Sequence, residues 1–159
     1  MTAANLQDAL VKELKQTLKD FRHLAPKQRG IQGEDQRIEY NVYAQDLPEK
    51  LLAEKGAFPY VIVRVQEGKF ESKETQEVTT LLLVGSYDSK LEPQGHRQVI
   101  NIIMKIVERF RKNPLLEKYY MAEPDIRWNL QEEDTRPIFF GGIIIRWKIK
   151  AIEKEDIYA

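Results

Sequence analysis

Few side chains in this sequence are of a type and spacing that do chemistry, and each has a plainer role open to it. His23 and His96 are the only histidines, and neither sits at a metal-ligand spacing such as two histidines one helical turn apart. His23 falls at an expected helix C-terminus, where a partly charged imidazole suits the helix dipole. His96 falls in the first turn of a later helix. Glu132, Glu133 and Asp134 form the densest acidic run, and paired carboxylates can move protons or hold a hard cation. Consecutive carboxylates between two strands point in different directions, however, and the alternation of acids around a central glycine found in a calcium loop is missing. Gly141-Gly142 is preceded by aromatics and followed by β-branched residues. A phosphate loop would need Lys and Ser or Thr there, so a bulge or close approach of another backbone is the better account. Ser72, Ser86 and Ser89 have no nucleophile elbow and no histidine at a motif spacing. The expectation is a chain that is not an enzyme and uses no cofactor or metal.

The elements that would position these residues follow from apolar spacing. Behind Asn5, a plausible N-cap, Leu6, Leu10, Leu14, Leu18 and Phe21 recur at helical steps, which predicts a helix from Leu6 to His23, ended by Ala25-Pro26. Lys27 to Glu34 reads as a loop. Ile38, Tyr40 and Val42 alternate with polar residues, which predicts one half-buried strand from Arg37 to Ala44. Leu47 to Leu52 could form a single helical turn with Pro48 near its start. A strand from Tyr60 to Val65 is expected to run out at Glu67-Gly68-Lys69, with Glu71 to Glu77 as a long exposed hairpin tip. The return strand, Val78 to Tyr87, is apolar on both sides at Leu81-Leu82-Leu83-Val84, as a central strand should be. Asp88 to Gly95 carries turn residues. Val99, Ile102, Ile103, Ile106, Val107 and Phe110 then make one wide helical stripe opposite Arg97, Asn101, Lys105, Glu108 and Arg111. Strands are expected again from Ile126 to Leu130 and from Ile138 to Ile149.

Strands in runs, interrupted by one long helix, predict an α+β fold, with a mainly antiparallel sheet and two main helices packed on one face. Phe139, Phe140 and Trp147 lie on the last strand, where neighbours alternate faces, so they cannot all enter one core. Either helices cover one face and a neighbouring subunit the other, or both faces are covered within the chain.

Composition narrows the function classes. At 159 residues, 42% apolar and 31% charged, the chain is the size and make-up of one soluble domain. Its 25 Lys and Arg balance 25 Asp and Glu. Counterion release from nucleic acid needs concentrated positive charge, so sequence-specific nucleic-acid binding is not expected, while self-association is permitted. With no cysteine, thiolate chemistry and disulfides within this chain are excluded. The start of the chain leads into an amphipathic segment rather than a signal peptide, and no apolar run approaches the roughly 18 residues of a membrane span. Synthesis in the cytoplasm and no membrane partner are the expectations.

Taken in order, Asn41-Val42-Tyr43, Leu47-Pro48, Phe58-Pro59-Tyr60-Val61-Ile62-Val63-Arg64 and Leu83-Val84-Gly85-Ser86-Tyr87-Asp88 resemble a pattern from tail-terminator, or tail-completion, proteins of long-tailed bacteriophages and prophages. The resemblance continues through Gly95, the helix around Val99 to Phe110, Ile126-Arg127-Trp128 to Leu130, Glu132-Glu133, and Pro137 to Trp147. It covers about Asn41 to Ile149 of one domain spanning 1–159, in which 1–36 is an amino-terminal helix and loop and 150–159 a carboxy-terminal tail.

Such a resemblance implies a structural protein of the virion tail, made in the host cytoplasm. It would form a six-membered homo-oligomeric ring that caps the tail tube, ends its polymerisation and joins it to the head connector. Its partners would be itself, the tube protein and the connector. It also puts the charged tip, Lys69, Glu71, Lys73 and Glu74, forward as a contact with the tube or a neighbouring subunit, beside Phe139, Phe140 and Trp147. The alternatives are a neck or head-completion protein, a small hydrolase or nucleotide-binding enzyme relying on His96, Glu132 and Glu133, and a regulatory DNA-binding module.

Overall fold

A computed structural model describes residues 2–24, 37–48, 58–88 and 94–150 of the protein. In chain order the elements are α1 (Ala3–Thr17), β1 (Arg22–Leu24), β2 (Arg37–Glu39), β3 (Asn41–Ala44), β4 (Tyr60–Phe70), β5 (Thr75–Tyr87) and α2 (Gly95–Lys112). After them come β6 (Leu115–Leu116), β7 (Tyr120–Ala122), β8 (Arg127–Leu130) and β9 (Ile138–Lys150).

Alternating residues sort the long strands into two faces, and the ladder aligns them. Val61, Val84 and Gly141 share one row across β4, β5 and β9, and Val63, Leu82 and Ile143 share another. Thr80 pairs with Ile145, and Val78 with Trp147, on the same side. Both helices cover this side: α1 lies on β3 and β4, α2 lies on β5, β9 and β8, and the two helices touch. Leu6, Leu10 and Leu14 of α1 and Val99, Ile102, Ile103, Ile106 and Phe110 of α2 are buried there in one core. The sheet has seven strands among the described residues, ordered β3-β4-β5-β9-β7-β6, with β8 also on β9. Only β3 and β4 run parallel, so the fold is α+β with a mixed, mostly antiparallel sheet. No helix among the described residues is long and apolar enough to cross a membrane.

Several boundaries differ from the sequence-based expectation. Helix α1 begins a turn earlier, because the Thr2 hydroxyl accepts from the Asn5 N–H at 3.2 Å while the Asn5 side chain accepts from the Thr2 N–H at 3.0 Å; this is a reciprocal capping box. It also ends earlier, at Thr17, whose hydroxyl donates back to the Glu13 carbonyl at 2.8 Å. The apolar spacing continues past that end: Leu18 stays buried and Phe21 packs on the core although the chain has left the helix. His23 therefore lies in β1 and not at a helix terminus. The strand expected from Arg37 to Ala44 is split at Tyr40, with β2 pairing back on β1 and β3 pairing on β4. The hairpin tip is shorter than expected, since Lys69 already pairs with Glu77 and Phe70 with Gln76. The loop from Lys27 to Glu34 lies outside the described residues, as do most of the expected turn at Leu47 to Leu52 and of the turn after Asp88. That last connection is framed by the buried Asp88 carboxylate, which accepts from the Gln94 N–H at 2.8 Å.

The small hairpin of β6 and β7 carries no sequence signal. Its turn holds Glu117 at φ 51° and Lys118 at φ 67°, a left-handed geometry normally supplied by Asn-Gly.

Gly141 has a packing reason. A Cβ there would fall 2.7 Å from Val99 Cγ1 and 2.9 Å from Ile103 Cδ1, so the missing side chain is what lets α2 settle on β9. The close approach of another backbone expected at Gly141-Gly142 is present at Gly141, where the Asn129 carbonyl of β8 would stand 3.0 Å from an added Cβ, and the α2 side chains come closer still. The β5–β9 ladder passes both glycines without a bulge, and the irregularity in the sheet lies between Val65 and Glu67. Gly141→Val should destabilise the protein by about 1–3 kcal/mol through overpacking, read as a lower denaturation midpoint at unchanged slope. Lys118→Gly should stabilise it by about 1 kcal/mol, because glycine removes the cost of a left-handed residue, and the melting temperature should rise.

Candidate protein-interaction surfaces

The candidate residues fall in three separate places. At the β4–β5 connection, Lys69 is the next-to-last residue of β4, and Lys69, Glu71, Lys73 and Glu74 are exposed. The turn is held by its own bonds: the Glu71 N–H donates to the Thr75 carbonyl at 2.9 Å, and the Glu74 N–H to the Ser72 hydroxyl at 3.2 Å. Lys148, from β9, sits 3.5 Å from Glu71 and 3.6 Å from Glu123, tying the tip to the sheet. A hydrogen bond with Glu77 and then the charge of Lys148 hold the Glu71 carboxyl below its ordinary value, while Glu71 and then Glu123 raise Lys148. Phe70, which the sequence did not mark, is 72% exposed beside these charges.

Phe139 and Trp147 face the helices. The Phe139 ring lies against Gly95, where an added Cβ would overlap it. Trp147 has no exposed surface. Its ring meets Phe110 edge-on with centroids 5.1 Å apart, and its Nε1–H donates to the Thr80 hydroxyl at 2.9 Å. That hydroxyl in turn donates to the Ile145 carbonyl at 3.1 Å, so the buried polar atoms are satisfied. Trp147 is thereby placed in the core and has no surface to offer another chain.

Phe140 points the other way. On the face opposite the helices, Phe58, Tyr60 and Ile62 are buried, with Tyr43, Leu83, Tyr87, Ile138 and Phe140 partly buried around them. Phe58 stands 4.8 Å from Tyr60 and 6.0 Å from Phe140, centroid to centroid. Gly85 makes room for this group, since a Cβ there would come within 2.5 Å of the Tyr60 ring. Ile144 borders it and is 39% exposed.

The candidates for chemistry are dispersed. Ser86 is buried and shares a 2.7 Å hydrogen bond with the Tyr40 hydroxyl, whose ionisation is pushed up by burial. His96 is exposed at the start of α2. Glu132 and Glu133 are exposed, and Asp134 binds Arg136 through both carboxylate oxygens at 2.9 and 2.8 Å, which lowers its pKa. Among the described residues no three acidic, His or Cys side chains are grouped to hold a metal ion. No family model matches the chain, and no curated protein matches it.

Tyr60 gives this second face a measurable signature. Burial raises its pKa to about 12, against the smaller opposing pull of Arg64. Below pH about 10, the unfolded value, its contribution to stability is intact. As pH rises from there towards the folded value the unfolded chain binds fewer protons than the folded one, and the contribution is lost. Following phenolate absorbance against pH, Tyr60→Phe should remove one late-titrating phenol and flatten the fall of stability in that window.

Proposed function

We propose that this chain is a tail-terminator protein of a long-tailed phage or prophage, a virion component that assembles into a ring, caps the tail tube and meets the head connector. Its action is steric: a ring seated on the last layer of tube occupies the interface that the next tube subunit would need. Binding energy alone does this, and no bond is made or broken.

The observation that carries this reading is the two-sided sheet. One face is closed by α1 and α2, while the other keeps Leu83, Phe140 and Ile144 partly exposed next to ionic strand ends and a charged hairpin tip. An apolar centre with a charged rim is the usual anatomy of a protein interface. The ordered resemblance from Asn41 to Trp147 supports the same reading and supplies its particulars, including the ring of six.

Purified protein added to polymerising tube protein should shorten the tubes seen by negative-stain microscopy, with annular particles at tube ends. Ile144→Glu, a change at a partly exposed position, should abolish shortening while the melting temperature stays within a few degrees of wild type. Tubes of unchanged length with wild-type protein present would sink the assignment.

A further inference from the structure

We propose that copies of this chain join head to tail across the two lateral edges of the sheet, with Trp128 of one copy seated in a lysine-lined groove beside β3 of the next. The inference deepens the ring part of the function proposed above and rests on it.

At one edge, β8 is paired with β9 alone among the described residues. Trp128 lies opposite Ile143, which puts it on the helix-covered side, and it is 46% exposed. The chain leaves β8 directly into Glu132 and Glu133, which are exposed and take part in no ion pair among the described residues. At the opposite edge, a groove of about 370 Å³ runs between the end of α1 and β3. Leu18, Tyr40, Asn41, Val42 and Tyr43 line it, with Lys15 from the last turn of α1 and Lys19 just past it. Neither lysine is in an ion pair among the described residues. Glu39 also lines the groove, and its charge is shared with Arg22 at 3.8 Å.

Chemistry and register agree on the fit. An aromatic knob followed by two carboxylates with no ion pair among the described residues lies across the molecule from a groove of mixed polar and apolar lining, beside two lysines likewise in no ion pair among the described residues. A buried Trp is the kind of residue that dominates association energy, and complementary charge fixes orientation and partner. The row through Trp128 passes Ile143, Leu82 and Val63 to Ala44. A second copy displaced sideways in the plane of the sheet therefore brings Trp128 level with Ala44, the end of β3 one residue past the groove-lining Tyr43. Such a contact is heterologous, and repeated rotation closes it into a ring.

The test uses the full chain. Self-association is measured by sedimentation and light scattering for wild type, Trp128→Ala, Lys15→Glu/Lys19→Glu, Glu132→Lys/Glu133→Lys, and the two charge reversals combined, with circular dichroism confirming that each is folded. Trp128→Ala and each reversal alone should weaken association about tenfold or more, and the combined reversals should restore it. Because the chain has no cysteine, Lys19→Cys/Glu133→Cys should oxidise into a head-to-tail series, while either single change should give no more than dimers. Oligomers that ignore all these changes and do not cross-link would overturn the edge contact and leave the tube-capping proposal standing. A wild type that stays monomeric at every concentration would overturn the contact outright. Edge-linked rings that fail to shorten tubes would keep the contact and remove the tube assignment.

Discussion

The register of β5 between β4 and β9 is the constraint on which the rest of the structure depends. β5 is hydrogen-bonded along both edges, so its even-numbered residues must meet the helices and its odd-numbered ones the opposite face. A slip of one residue would exchange the two sets, putting Leu83 and Leu81 under the helices. A polar marker fixes the choice. The Thr80 hydroxyl lies in the core only because it receives the Trp147 indole N–H and donates to the Ile145 carbonyl. Any other register would leave buried polar groups unpaired, at a cost of about 1–3 kcal/mol each. The apolar residues supply most of the driving force, and this small network selects one alignment.

Once the register is fixed, the two faces acquire different duties. The helix side is closed by interlocking shapes, with Gly141 admitting Val99 and Ile103, and Gly95 admitting Phe139. The opposite side is built around Phe58 and Tyr60 and shades from apolar at the Phe140 end to ionic at Lys148 and Arg146. The ion pairs there are exposed and each is worth at most about 1 kcal/mol. Their contribution is to position groups, as Lys148 does in linking the hairpin tip to the segment after β7, more than to stabilise the fold.

The legible parts of the sequence were those whose burial is one-sided and long. The stripe from Val99 to Phe110, the doubly apolar run at Leu81 to Val84 and the alternation through Ile143, Ile145 and Trp147 announce α2, β5 and β9, and with them the fold class. Illegible parts were set by bonds that leave no periodic trace. Thr2 starts α1 through a hydroxyl, Thr17 helps end it while the leucine spacing continues, and Tyr40 divides an unbroken alternation between two ladders. Of the candidate surface residues, the charged tip could be read from composition. Phe140 and Trp147 could be assigned to opposite faces by parity, but only the packing of Phe110 and Thr80 decides that Trp147 is wholly enclosed. Phe70 and Trp128 resemble core residues in a strand pattern, and their exposure follows from their places, one beside a hairpin tip and the other on a strand that, among the described residues, is paired along one edge.

Zero net charge conceals an asymmetry that composition cannot express. The carboxylates at Glu132 and Glu133 and the ammonium groups at Lys15 and Lys19 cancel in the sum, yet the first pair follows β8, which hangs on β9, and the second lies by β3 at the other side of the sheet. That separation discriminates between modes of association. Pairing β8 with β8 about a two-fold axis would bring acidic loop to acidic loop, and pairing β3 with β3 would bring lysine to lysine, each opposed by like charge. The proposed unlike pairing would set acidic loop against lysines and avoid both repulsions. In the proposed head-to-tail contact, unlike edges would not be satisfied in a symmetric pair, and every added copy would leave one knob and one groove open until the series closed on itself.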